Sequence, residues 1–159
     1  MAKLEHVIET LQGLTGETFD SVYDLFFSEK RMIVAVVLHP SDLIDKYQRS
    51  DPLTSVFLGN ALRSREIKLQ SAKLIEERRI AFKTKNLDEI LTMHKANMEI
   101  DYENIISVSI RKRFLTSHLI FEVQRNPKKK ITFSLKKSQI VEAEKVINGI
   151  LPSKFVKAS

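Results

Sequence analysis

The sequence predicts an α+β fold: two blocks of antiparallel strands, a long helical segment between them, and a closing C-terminal helix. Three observations carry this prediction. Apolar residues recur with a period of two within 19–38 and again within 105–135, the pattern of strands in antiparallel sheets. Residues 52–83 hold no helix breaker after Pro52 except Gly59. Ile140, Ala143, Ile147 and Ile150 fall on one stripe of a helix that Pro152 stops, as the 3.6-residue period requires.

The first block spans 1–39. "KLEHVIETL" reads as a strand with Leu4 and Ile8 inward, although a helix also fits. "FDSVYDLFF" places Phe19, Tyr23, Leu25 and Phe27 on one face. After the polar turn "SEK" comes "RMIVAVVL", an almost continuous apolar strand of the kind covered on both faces. The two strands form a hairpin. Gly13 and Gly16 mark a turn between strands.

The helical insertion spans 40–98. Ser41 is placed to cap "DLIDKYQR", and Asp51-Pro52 is a stronger start signal, with Asp as cap and Pro in the first turn. One helix of about 30 residues is expected over 52–83, roughly 45 Å long at 1.5 Å per residue. Its apolar stripe is interrupted by Arg65, Glu76 and Arg78, while Val56, Phe57, Leu58, Leu62 and Leu69 remain as a candidate oligomer face. Asn86 with Glu89 forms a capping box for "LDEILTMHK".

The last block spans 99–151, with a loose tail over 152–159. Ile106, Val108 and Ile110 are expected inward on the first strand of a meander, followed by Leu119, Phe121 and Val123, and then Ile131, Phe133 and Leu135. Strand parity limits the pairing. The simplest solution is a four-residue Phe114–Ser117 loop that pairs Arg113 with His118 and Arg111 with Ile120. An Asn126-Pro127-Lys128 turn then pairs Gln124 with Lys130 and Glu122 with Thr132.

Hairpin, helical insertion, meander and final helix together resemble the bacterial and archaeal pleckstrin-homology-like (GRAM-like) domains. The stretches "LFFSEKRMIVAVV", "NLDEILTMHKANMEIDYENIISVSI", "HLIFEV", "KKITFSL" and the last helix carry the likeness, in two pieces, Leu4–Leu38 and Asn86–Leu151. The resemblance implies a bent antiparallel sheet or open barrel plugged by the C-terminal helix. It also implies a module that binds lipid headgroups, peptides or proteins. The long helix departs from a minimal domain of this type. No catalytic residues come with the fold, and a fold alone does not assign a function.

The chain of 159 residues carries a net charge of +6, and the excess is local. Residues 101–137 hold nine Lys and Arg against three Asp and Glu, leaving 17 of each sign elsewhere. On the strand pairing above, the charges divide into two hairpin ends. Arg111, Lys112, Arg113, His118, Lys136 and Lys137 form a candidate anion-binding or surface-binding end around Phe114-Leu115. Arg125, Lys128, Lys129 and Lys130 form the second, roughly 20–25 Å away at about 3.3 Å per residue. The middle of the face, Ser109, Glu122 and Thr132, is close to neutral. A basic rim around an apolar tip suits an anionic membrane surface or an acidic partner. Single-stranded nucleic acid is disfavoured because the face offers no aromatic to stack a base.

Other chemistry finds little support. His6, His39, His94 and His118 lie in no metal-ligand spacing, there is no Cys, and no Gly-rich phosphate loop is present. Asp101 and Glu103 read as the outer face of a strand, not as an acid/base pair. A non-enzymatic binding or adaptor module with no cofactor and no metal is therefore expected. The alternative is an assembly protein that oligomerises through the long helix. A protein partner or self-association ranks first among partners, an anionic membrane second. No apolar run reaches the roughly 18 residues of a membrane span, and the acidic N-terminal stretch lacks the apolar block of a signal peptide. The expected location is cytoplasmic, with peripheral membrane contact as a further option.

Overall fold

Continuous apolar sequence and alternating sequence lead to two different sheets. The structure, a computed structural model, describes residues 6–9, 12–14, 21–39, 42, 60–114, 116–125 and 127–156. The elements are β1 (His6–Glu9), β2 (Gln12–Leu14), β3 (Val22–Phe27), β4 (Arg31–Leu38), α1 (Asn60–Lys83), α2 (Leu87–Thr92), β5 (Met98–Asp101), β6 (Ile105–Lys112), β7 (Ser117–Val123), β8 (Lys129–Leu135), α3 (Ile140–Ile150) and β9 (Phe155–Val156). One sheet runs β1-β3-β4-β5 and the other β2-β8-β7-β6-β9. The fold is α+β with two sheets and a C-terminal helix. The strands do not close into one barrel.

The chain passes from one sheet to the other three times, at β1–β2, β2–β3 and β5–β6. β1 pairs with β3, and β2, just after it, pairs with β8. β5 pairs with β4, and a 3-10 turn at Tyr102–Asn104 leads into β6. Tyr102 fastens this last crossing: its N–H donates to Lys30 O at 3.0 Å and its hydroxyl to Ser28 O at 2.5 Å. The turn carries Glu103, so Asp101 and Glu103 do not share the face of one strand.

Between the sheets lies one core. Tyr23, Leu25, Phe27, Met32, Val34 and Val36 come from the first sheet; Val108, Ile110, Leu119, Phe121, Val123, Ile131, Phe133 and Leu135 come from the second. Tyr23 and Phe121 both meet Phe133 edge-on, with ring centroids 5.8 and 5.9 Å away. α3 adds Ala143, Val146 and Ile147, with Ile140 and Ile150 packed at the margin.

The other parity of β3 and β4 builds a second core. Phe26, Ile33, Ala35 and Val37 pack against Phe82 of α1 and Leu87 and Ile90 of α2. Both faces of β4 are thus covered, as its unbroken apolar run requires. Asp24, also on this parity, is 2% exposed and accepts from Arg79, from Nε at 3.0 and 3.3 Å on its two oxygens and from Nη2 at 2.8 Å. Arg79 also lies 3.5 Å from Glu9. Burial pushes the Asp24 carboxyl above its ordinary range, and Arg79 opposes that shift. Arg78 donates to Val37 O at 3.1 Å and to Asp42 at 2.8 Å. Arg78 therefore does not break the packing stripe of α1; it joins the helix to the sheet.

α2 begins with the expected capping box, Glu89 N–H to Asn86 Oδ1 and Asn86 N–H to Glu89 Oε2, both 2.9 Å. Arg31 ties that helix to the sheet through Asp88 at 2.7 Å and Glu99 at 2.9 Å. Asn97 continues the β4–β5 junction with its side chain, accepting from Val36 N–H and donating to Ile90 O, each at 2.7 Å.

Several expectations are corrected. A bulge between Ile105 and Ser107 reverses the parity at the start of β6, so Ile105 is buried and Ile106 is exposed. Arg111, not Arg113, pairs with His118, and the loop is 113–116, closed by Arg113 N–H to Thr116 O at 3.1 Å. Likewise Glu122 pairs with Lys130 and Ile120 with Thr132, which leaves the longer loop 124–128. Gly13 lies within β2. Residues 155–156 of the tail form β9, which runs parallel to β6, and Val108 N–H donates to Lys154 O at 2.9 Å. Leu4, Gly16, Phe19, Ser41, 43–59, Leu115, Asn126 and 157–159 lie outside the described residues, as do the short helix and Asp51-Pro52 cap expected there.

Candidate functional site

The outward parity of the second sheet is written as cross-strand rows. Ser107-Glu122-Lys130 is followed by Ser109-Ile120-Thr132, and then by Arg111-His118-Ser134. The neutral middle survives the shift in register, with Ile120 in place of Glu122. Seven residues of β7 separate the two ends, about 20 Å at 3.3 Å per residue.

At the β6–β7 end the structure gathers most of the expected side chains. Arg111, Lys112 and Arg113 are exposed and His118 is half-buried. Phe114 is 86% exposed at the loop tip. Lys136 and Lys137, just beyond β8, come to the same end, because Lys137 Nζ lies 5.4 Å from the centre of the Phe114 ring. Both Phe114 and Lys137 are exposed. Among the described residues, Lys112 is the one of this group with a carboxylate within ion-pair distance, Glu144 at 3.7 Å. Burial lowers the His118 pKa, and Arg113 and Arg111 lower it further.

The second basic end is flatter. Arg125, Lys128 and Lys130 are exposed and Lys129 is half-buried, without an exposed aromatic among its described residues. The face expected for oligomerisation is described only in part. Val56, Phe57 and Leu58 lie outside the described residues, and Leu62 is placed only as a position in α1. Leu69 is 67% exposed. The sequence reading missed Ile80, 55% exposed on the same helix; the eleven-residue spacing from Leu69 is the signal that marks it.

A shallow groove of 220 Å³ lies between β1 and α3, lined by Val7, Ile8, Glu9, Gln139, Glu142 and Ala143. It is smaller than ordinary small-molecule sites. Gln139 crosses it, donating to Glu9 O at 2.5 Å and accepting from Lys136 N–H at 2.9 Å. Elsewhere His39 and His94 face each other at 5.6 Å beside Asp42. No group of three or more potential metal ligands occurs among the described residues.

The fold and this edge define a two-sheet α+β chain that presents a basic hairpin tip. No protein-family model, curated protein or solved structure matches it. Among the described residues no helix is long and apolar enough to cross a membrane.

Proposed function

We propose that the protein is a non-enzymatic binding module of pleckstrin-homology-like type that docks its β6–β7 tip on an anionic membrane surface. The observation that carries the reading is Phe114, 86% exposed with Lys137 over its ring, amid Arg111, Lys112, Arg113 and Lys136. An exposed aromatic enters the headgroup layer, and the surrounding cations are drawn to anionic lipid at about 1 kcal/mol each. Two sheets, antiparallel except for the β6–β9 pair, with a C-terminal helix packed on their shared core support the family type. The long α1 is then an insertion between the first-sheet strands β4 and β5.

Co-sedimentation with phosphatidylserine-containing vesicles tests this. Binding at low salt should weaken as salt shortens the screening length. It should be lost in R111E/R113E, whose thermal stability should match the parent because both sites are exposed. Equal binding to neutral vesicles, or full binding by the reversal variant, would sink the reading.

A further inference from the structure

α1 has a second face that its own sheet does not use. Phe82 is buried and Ile75, Arg78 and Arg79 are half-buried toward the sheet. Leu69, Ala72, Lys73, Glu76 and Ile80 are all exposed. At 3.6 residues per turn, the eleven residues from Leu69 to Ile80 make close to three turns, so the two align on one side about 16 Å apart. Between them stand one cation and one anion.

We propose that this face pairs with the same face of a second copy of the chain, the two α1 helices antiparallel. The occupant follows from complementarity within the stripe. With the two-fold axis passing between positions 74 and 75, Leu69 of each copy meets Ile80 of the other. The same register sets Lys73 against Glu76, and symmetry makes each contact twice, as an isologous interface requires. Parallel helices in register would place Lys73 against Lys73 and Glu76 against Glu76, which like-charge repulsion disfavours. The antiparallel register satisfies both kinds of contact at once. The stripe points away from the first sheet, and the basic hairpin tip belongs to the second sheet. Pairing therefore leaves that tip open on both copies. A single helix face is a small interface, so the association is a weak, concentration-dependent one. This inference stands apart from the membrane reading, and its test contains no lipid.

Sedimentation equilibrium of the full chain, over a series reaching about 1 mM, reads it directly. The parent should show a reversible monomer–dimer equilibrium. K73E alone and E76K alone should each weaken the dimer about fivefold or more, since each sets like charges face to face twice. The double variant K73E/E76K restores opposite charges and should return to within about twofold of the parent. L69S/I80S should remain monomeric. All four positions are exposed, so circular dichroism melts should stay close to the parent. A parent that is monomeric across the series overturns the proposal. So does a double charge swap as weak as either single variant.

Discussion

β4 and β7 are interior strands of their two sheets and share almost no burial pattern. From Met32 to Leu38 every residue of β4 is buried. Along β7 buried Ser117, Leu119, Phe121 and Val123 alternate with half-buried His118, Ile120 and Glu122. The cause is what lies behind each strand. α1 and α2 cover the outer face of the first sheet with Phe82, Leu87 and Ile90, whereas the outward rows of the second sheet are mostly half-buried, with Arg111 and Lys130 exposed. Covering a face with helices commits it to packing. The uncovered face keeps its charges, and the candidate docking end sits there.

The largest expected effect breaks the contrast within the second sheet itself. Phe133→Ala removes a ring that meets both Tyr23 and Phe121 and should cost about 3–5 kcal/mol. Ile120→Thr, on the outward parity of the neighbouring strand, should cost about 0.5 kcal/mol. Chemical denaturation measures both; equal losses would mean that the outer face is packed after all.

Next comes the helix-covered face, which buries a charge. Arg79→Ala strands the Asp24 carboxylate at 2% exposure and should cost about 3 kcal/mol. The double variant D24L/R79M removes both charges and should recover most of that loss, because a buried ion pair adds little over apolar packing. A double variant as unstable as R79A would show that the pair does more than neutralise Asp24.

A smaller effect compares one histidine from each region. Burial lowers the pKa of His94, with Asp42 opposing and Arg78 and His39 adding to the shift, and it lowers that of His118 as well. For each, the unfolded chain binds a proton more readily than the folded one. The stability they contribute is full above the ordinary histidine value near 6.5 and falls as pH drops through their folded values. The melting temperature should therefore decline between about pH 7 and pH 5.5. H94N/H118N should flatten that decline, and an unchanged slope would assign it elsewhere.

Much of this arrangement was legible. Strand parity is a local property, so the inward residues of β7 and β8 and the cover on both faces of β4 could be read directly. The capping box at Asn86 is equally local. Register was less accessible, because turn length depends on loop hydrogen bonds such as Arg113 N–H to Thr116 O. Each hairpin thus slid by two positions in its cross-strand pairs while keeping parity. The bulge that turns Ile106 outward leaves no mark on an apolar Ile105-Ile106 pair. Arg78 read as an interruption of a stripe and the role of Arg79 went unseen, because their partners, Asp42 and Asp24, are remote in sequence. The basic end survived these shifts because its residues cluster near one turn, while Lys137 was joined to Phe114 only by the folding of β8 alongside β7.

The central claim is that the Phe114 tip enters an anionic surface, and one substitution reads it without a label. The chain has no Trp, so Phe114→Trp creates a single tryptophan, whose emission is excited and read apart from that of the three Tyr. Its emission should move to shorter wavelength when phosphatidylserine-containing vesicles are added at low salt, and should stay put with neutral vesicles. Unchanged emission with the anionic vesicles, or the same shift with neutral ones, would contradict the account.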